Sequence, residues 1–128
     1  MKSVEEIKEL LERIEKDTAD TKVLYEITNT RYNSQYSIPE TSVCIKVHRI
    51  TSETKVSYVT FLNKKVNKKS FKYTEDGLIH QTYPTLDELV KAVFVEINKY
   101  KLIEQLRLSK DFDLYKSIYD RIVLCEDV

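Results

Sequence analysis

Residues 70–97, SFKYTEDGLIHQTYPTLDELVKAVFVEI, decide the fold. Phe71 and Tyr73 alternate with Ser70 and Lys72, the period of a half-buried strand. Asp76-Gly77 supplies turn chemistry that permits positive φ, and Gly77 is the only glycine in the protein. Leu78 to Tyr83 returns as the partner strand, and Pro84 ends it because proline has no N–H to give to a ladder. Thr85 and Glu88 have the spacing of a capping box, in which each side chain satisfies an orphan donor at a helix start. Leu86, Leu89, Val90, Val93, Phe94, Ile97 and Tyr100 then recur at helical spacing as one apolar stripe. A hairpin feeds an amphipathic helix, and none of these residues carries chemistry.

Composition bounds what surrounds this stretch. At 128 residues the chain is long enough for one domain with a real core, and its hydrophobic fraction of 41% argues against disorder. Basic and acidic side chains balance at 21 each, which weighs against indiscriminate binding to nucleic acid or a membrane surface. Cys44 and Cys125 are too few for a disulfide framework and form no CxxC, so a reducing compartment is expected. No apolar run approaches membrane-spanning length, and MKSVEEIKELLERIEK is too charged for a secretory signal. A soluble intracellular chain is the expectation. A single glycine also leaves no dinucleotide fingerprint or P-loop, both of which need several glycines near phosphates.

The remaining elements follow in order. Ser3 and Glu6 form another capping box, opening a helix with Val4, Ile7, Leu10, Leu11 and Ile14 on one side and an end near Lys16. Residues 22–28, KVLYEIT, read as a central strand, apolar on both faces. Residues 29–41, with Tyr32, Tyr36 and Pro39, are the least regular and read as a loop or an extended strand end. Residues 42–62 form a hairpin around a turn at 51–54, and NKKVNKK (63–69) a basic loop. The helix after Thr85 runs to about residue 107 or breaks near Tyr100, and a last helix carries Leu114, Ile118 and Ile122. The order α-β-β-β-β-β-α-α predicts an α+β domain with an antiparallel sheet.

The search for chemistry gives little. His48 and His80 lie on different strands, and neither has a cysteine or carboxylate nearby at ligand spacing, so a structural or surface role is expected for both. A Cys44–His80 pair needs a contact the sequence does not show, and no metal or cofactor is called for. The carboxylates fall mostly on helix faces with lysine partners four residues away. The basic residues say more. Arg31, Lys46, His48 and Arg49 occupy strand ends and outward positions, and Lys64, Lys65, Lys68, Lys69 and Lys72 form a second group. Such side chains can converge on a phosphate through charge-assisted bonds, or simply blunt an exposed strand edge.

The element order resembles that of a Src-homology-2 (SH2) domain, and TYPTLDELVKAVF (82–94) is similar to the opening of that family's second helix. More narrowly, KVLYEIT, TEDG (74–77) and YPTLDEL (83–89) resemble the C-terminal SH2 repeat of the Spt-group histone chaperone and transcription elongation factor, over residues 3–100. The resemblance implies a single SH2-like domain over 1–128: a central antiparallel sheet flanked by two helices, with a helical extension over 101–128. It implies a nuclear, non-catalytic module without cofactor that binds a phosphorylated linker of the largest RNA polymerase II subunit, next to a preceding SH2 repeat if the chain is a fragment. No membrane or specific nucleic-acid partner is expected. Two departures stand out: KVLYEIT lacks the arginine that forks onto phosphotyrosine, and the partner repeat is missing. The phosphopeptide would then be held by Arg31, Lys46, Arg49 and, as an outer contact, Lys72. Two other classes stay open: a small viral or accessory inhibitor acting by protein–protein binding, and a small hydrolase using Cys44 or His80.

Overall fold

The hairpin that anchors the sequence forms around a two-residue loop. In the computed structural model Glu75 pairs with Leu78, while Asp76 and Gly77 take φ of 52° and 78°. Both values are positive, the signature of a type I′ turn, whose twist matches the strands it joins. Replacing Gly77 with alanine is expected to cost about 1 kcal/mol in denaturant unfolding. No atom lies within 4 Å of where the new methyl would sit, so backbone strain is the whole penalty.

The structure describes residues 1–31 and 34–126, apart from the side chains of residues 125 and 126. Tyr32 and the thiol of Cys125, both noted in the sequence, lie outside this set. The elements are α1 (Val4–Leu10), α2 (Glu12–Asp17), β1 (Val23–Thr28), β2 (Tyr36–Ser37), β3 (Cys44–Glu53), β4 (Ser57–Thr60), β5 (Lys65–Asn67), β6 (Lys72–Glu75), β7 (Leu78–Tyr83), α3 (Leu86–Leu108) and α4 (Phe112–Glu126). The strands run in the order β5-β4-β3-β1-β7-β6, with β2 added on β3, and every pair is antiparallel. The end strands β5 and β6 lie side by side. Lys64, just before β5, reaches Glu75 of β6 at 2.5 Å. The fold is α+β, with a nearly closed antiparallel sheet and helices at the C-terminus.

Two sequence expectations shift. NKKVNKK is not simply a loop: its one apolar residue, Val66, is fully buried and draws 65–67 into β5. The irregular 29–41 stretch contributes β2, where Tyr36 and Ser37 pair with Ile45 and Cys44. The Ser3–Glu6 capping box forms both of its bonds. At Thr85 only half of the expected box forms: the Glu88 N–H donates to the threonine hydroxyl and caps α3, without the return bond from the Glu88 side chain.

Alternation along β1 splits the interior. Val23 and Tyr25 join Ile7, Leu11, Ile14, Ile45, Leu89, Val90 and Val93 in the main core, so α1, α2 and α3 all cover one face of the sheet. Leu24 faces the other way, into a second cluster with Val66 and Tyr73. The resemblance implied a helix on each side; here the second face is taken up by the sheet curling on itself. Asn98 of α3, itself buried, clamps the chain start by bonding both the N–H and the carbonyl of Lys2 at 2.8 Å. Beyond it α3 runs unbroken to Leu108 and leaves the core. Tyr100, Ile103, Phe112, Tyr119 and Ile122 are exposed on this outer segment and on α4. The Tyr115 hydroxyl donates to the Leu106 carbonyl and ties the two helices together.

Candidate functional site

The face of the sheet away from the helices gathers four polar side chains. Glu26 follows Leu24 at the strand period, so it too points inward from β1. Its register partners are Lys46 on β3 and Thr82 on β7. His48 and His80 sit two residues along from those partners, on the diagonals where long side chains meet. His48 Nε2 lies 2.7 Å from Glu26 Oε1, and His80 Nδ1 lies 2.9 Å from Oε2. Tyr73 of β6, paired with His80, donates its hydroxyl to Oε1 at 2.5 Å. The Tyr73 and His80 rings stack at 4.7 Å, and His48 meets Tyr73 edge-on at 5.5 Å.

Burial alone would raise the Glu26 carboxyl, but the hydrogen bonds from His48, Tyr73 and His80 outweigh it and hold the group at about 2. Glu26 is therefore an anion at neutral pH and can only accept. It follows that His48 carries hydrogen on Nε2 and His80 on Nδ1. Burial, followed by the bond to this carboxylate, raises the Tyr73 phenol, which stays a donor. The remaining ring nitrogens, His48 Nδ1 and His80 Nε2, have no partner among the described residues.

Two grooves of about 730 Å³ flank this cluster. The first opens where β1 and β7 splay apart beyond their Tyr25–Tyr83 and Glu26–Thr82 pairs. Glu26, Thr28, His80 and Gln81 line it, with Ile97 and Tyr100 of α3 opposite. The second runs along β3 between the stretch paired to β2 and the stretch paired to β4. There the Gln35 side chain replaces a strand, accepting from the Val47 N–H at 2.9 Å and donating to the Val47 carbonyl at 3.1 Å. Lys46, His48, Arg49, Tyr36, Phe61 and Leu62 line this groove.

The expected site residues distribute unevenly over this geometry. Lys46 and Arg49 share the β3 groove, and among the described residues neither side chain makes a hydrogen bond or an ion pair. Arg31 is exposed in the β1–β2 connection, where its carbonyl accepts from Ser34, and it is not among the groove residues. Lys72 lies on β6, three strands from β3, with its side chain on the opposite face from Tyr73. The expectation that neither histidine has a carboxylate nearby is corrected: the sheet brings both onto Glu26. Cys44 is buried opposite Thr28 and Ser37, and no hydrogen bond joins it to His80. No group of three or more histidine, cysteine or acidic side chains among the described residues is arranged to hold a metal. No described helix is long and apolar enough to cross a membrane.

No family model matches the chain, nor does any curated protein or solved structure.

Proposed function

We propose that this chain is a non-catalytic recognition domain that binds a phosphorylated peptide in the β3 groove. The observation that carries the reading is the open stretch of β3 where Lys46 and Arg49 make no hydrogen bond or ion pair among the described residues. Lys46 starts on the Glu26 face of β3 and Arg49 on the Val23 face, and a phosphate dianion at the open strand edge between them would accept charge-assisted bonds from these two long side chains. Phe61 and Leu62, 72% and 56% exposed, offer an apolar rim for the residues beside the phosphate. With the sequence likeness to the Spt-group SH2 repeat as its support, the peptide in this reading is a linker segment of the largest RNA polymerase II subunit, bound in the nucleus during transcription elongation. The same likeness makes a preceding SH2 repeat the natural neighbour. On this reading the likeness is one of ligand class, since the helices here share one face of the sheet.

The test is a titration of isotope-labelled protein with matched linker peptides, phosphorylated and not. Amide shifts centred on Gln35 and on residues 46–49, seen only with the phosphorylated set, are the expected result. Lys46→Ala and Arg49→Ala should each weaken binding by about tenfold or more while leaving the melting temperature nearly unchanged. Arg31→Ala and Lys72→Ala report whether the contact extends beyond the groove. Equal shifts with both peptide sets, or none with either, would remove the reading.

A second reading, a small accessory or inhibitor protein acting by protein–protein binding, is favoured by the exposed apolar side chains of outer α3 and α4. It puts the partner on those helices, so shifts confined to residues 100–124 would distinguish it.

A further inference from the structure

The edge of β3 in its groove is already bonded to an amide. Between the Tyr36–Ile45 and Thr60–Ile50 pairs, residues 46–49 have no register partner on this edge among the described strands, a gap of roughly 13 Å at the rise of a strand. The Phe61 N–H closes its far end by donating to the Arg49 carbonyl at 2.8 Å. Within the gap the Val47 N–H donates to Gln35 Oε1, and the Val47 carbonyl accepts from Gln35 Nε2. One residue exchanging both bonds with one partner is the pattern of a hydrogen-bonded antiparallel pair. Here the partner is a side chain because the main chain has turned away. The Tyr36–Ile45 register would set residue 34 opposite Val47, but Ser34 returns its N–H and its hydroxyl to the Arg31 carbonyl, at 3.3 and 3.1 Å.

We infer that the Gln35 carboxamide is a placeholder for a peptide backbone, and that the bound peptide adds to β3 as a short strand that takes over both Val47 bonds. This rests on the recognition reading above and gives its ligand a conformation. The exchange conserves hydrogen bonds: an amide of the ligand replaces the amide of Gln35, which passes to water. Nothing else holds the placeholder, since Gln35 is exposed and its side chain bonds only Val47 among the described residues.

The surroundings fix what such a strand can be. β2 at one end and the Phe61-Leu62 turn at the other leave room for about three or four residues before the ligand must bend out of the sheet. Lys46 and Arg49 start on opposite faces of β3, so they straddle a strand laid along this edge and can reach a phosphate on it from both sides. Main-chain bonds to Val47 then supply affinity that is blind to sequence, while the phosphate and the neighbouring side chains supply the selection. One residue type is excluded: proline opposite Val47 has no N–H for the Val47 carbonyl.

The test uses the phosphorylated linker peptide and a series in which one backbone nitrogen at a time is methylated. Methylating the nitrogen that faces the Val47 carbonyl should weaken binding by about tenfold or more, and methylating the nitrogens on either side, which point away from β3, by much less. In the unmodified protein the Gln35 side-chain NH₂ signals should move to the position of a solvated amide as peptide is added. Gln35→Ala should speed hydrogen exchange of the Val47 N–H in the free protein and tighten peptide binding by about twofold to tenfold. A peptide that shifts residues 46–49 yet tolerates methylation equally at every nitrogen, with the Gln35 signals unmoved, would overturn strand addition and leave the groove reading standing. Val47 still protected in free Gln35→Ala would overturn it as well, because the chain's own residues would then close the edge. No shift at residues 46–49 with any of the peptides would overturn both.

Discussion

Replacing Glu26 by alanine is expected to destabilise the fold by about 3–5 kcal/mol in denaturant unfolding, the largest effect of any single change at the site. The loss has a specific origin. His48 Nε2–H, the Tyr73 hydroxyl and His80 Nδ1–H all donate to this carboxylate, and alanine leaves three donors facing a cavity. Glu26→Gln should cost less, since its carbonyl oxygen can still accept from the two donors now on Oε1. The same group sets an acid limb. Its folded value of about 2 lies below the ordinary 4.5, so its stabilisation is fully present above about pH 4.5 and is lost as pH falls through 2. The shift corresponds to about 3 kcal/mol. Stability measured between those pH values should fall in the native protein and stay flatter in Glu26→Gln. Parallel curves would show that another carboxylate governs acid unfolding.

Leu89→Ala is the second large effect, at about 2–5 kcal/mol. Leu89 is fully buried in the main core, where α3 crosses the sheet with Val90 and Val93 beside it. Leu102, on the same helix but 47% exposed, should change stability by less than about 0.5 kcal/mol when cut to alanine. The contrast measures where α3 stops being core. If Leu102→Ala proved as costly as Leu89→Ala, the outer half of the helix would be covered in solution.

The sequence exposed what is local. The Ser3–Glu6 box, the Asp76-Gly77 hairpin and the Thr85 cap involve residues close in sequence, and each forms, the last with one of its two expected bonds. The β5 strand was hidden because a single inward valine among lysines gives no alternation to read. The polar cluster was hidden for a different reason. Glu26 meets His48, Tyr73 and His80 across 22, 47 and 54 residues of chain, and only strand register brings them together. One local signal did point to it: a carboxylate between Tyr25 and Ile27 in a strand otherwise apolar on both faces needs a partner. Of the four cations singled out, the two on β3 share a groove because they lie on one strand. Arg31 and Lys72 were grouped with them by charge, which carries no information about position.

The placement of β1 between β3 and β7 bears on how the protein is made. The β3–β4 and β6–β7 hairpins close short loops, whereas the seam between β1 and β7 joins distant parts of the chain through two residue pairs. Such a seam zips late, after the hairpins have organised the strands it connects. Glu26 sits on it. A newly synthesised chain would therefore carry most of its secondary structure before Tyr73 and His80 reach the Glu26 carboxylate across that seam.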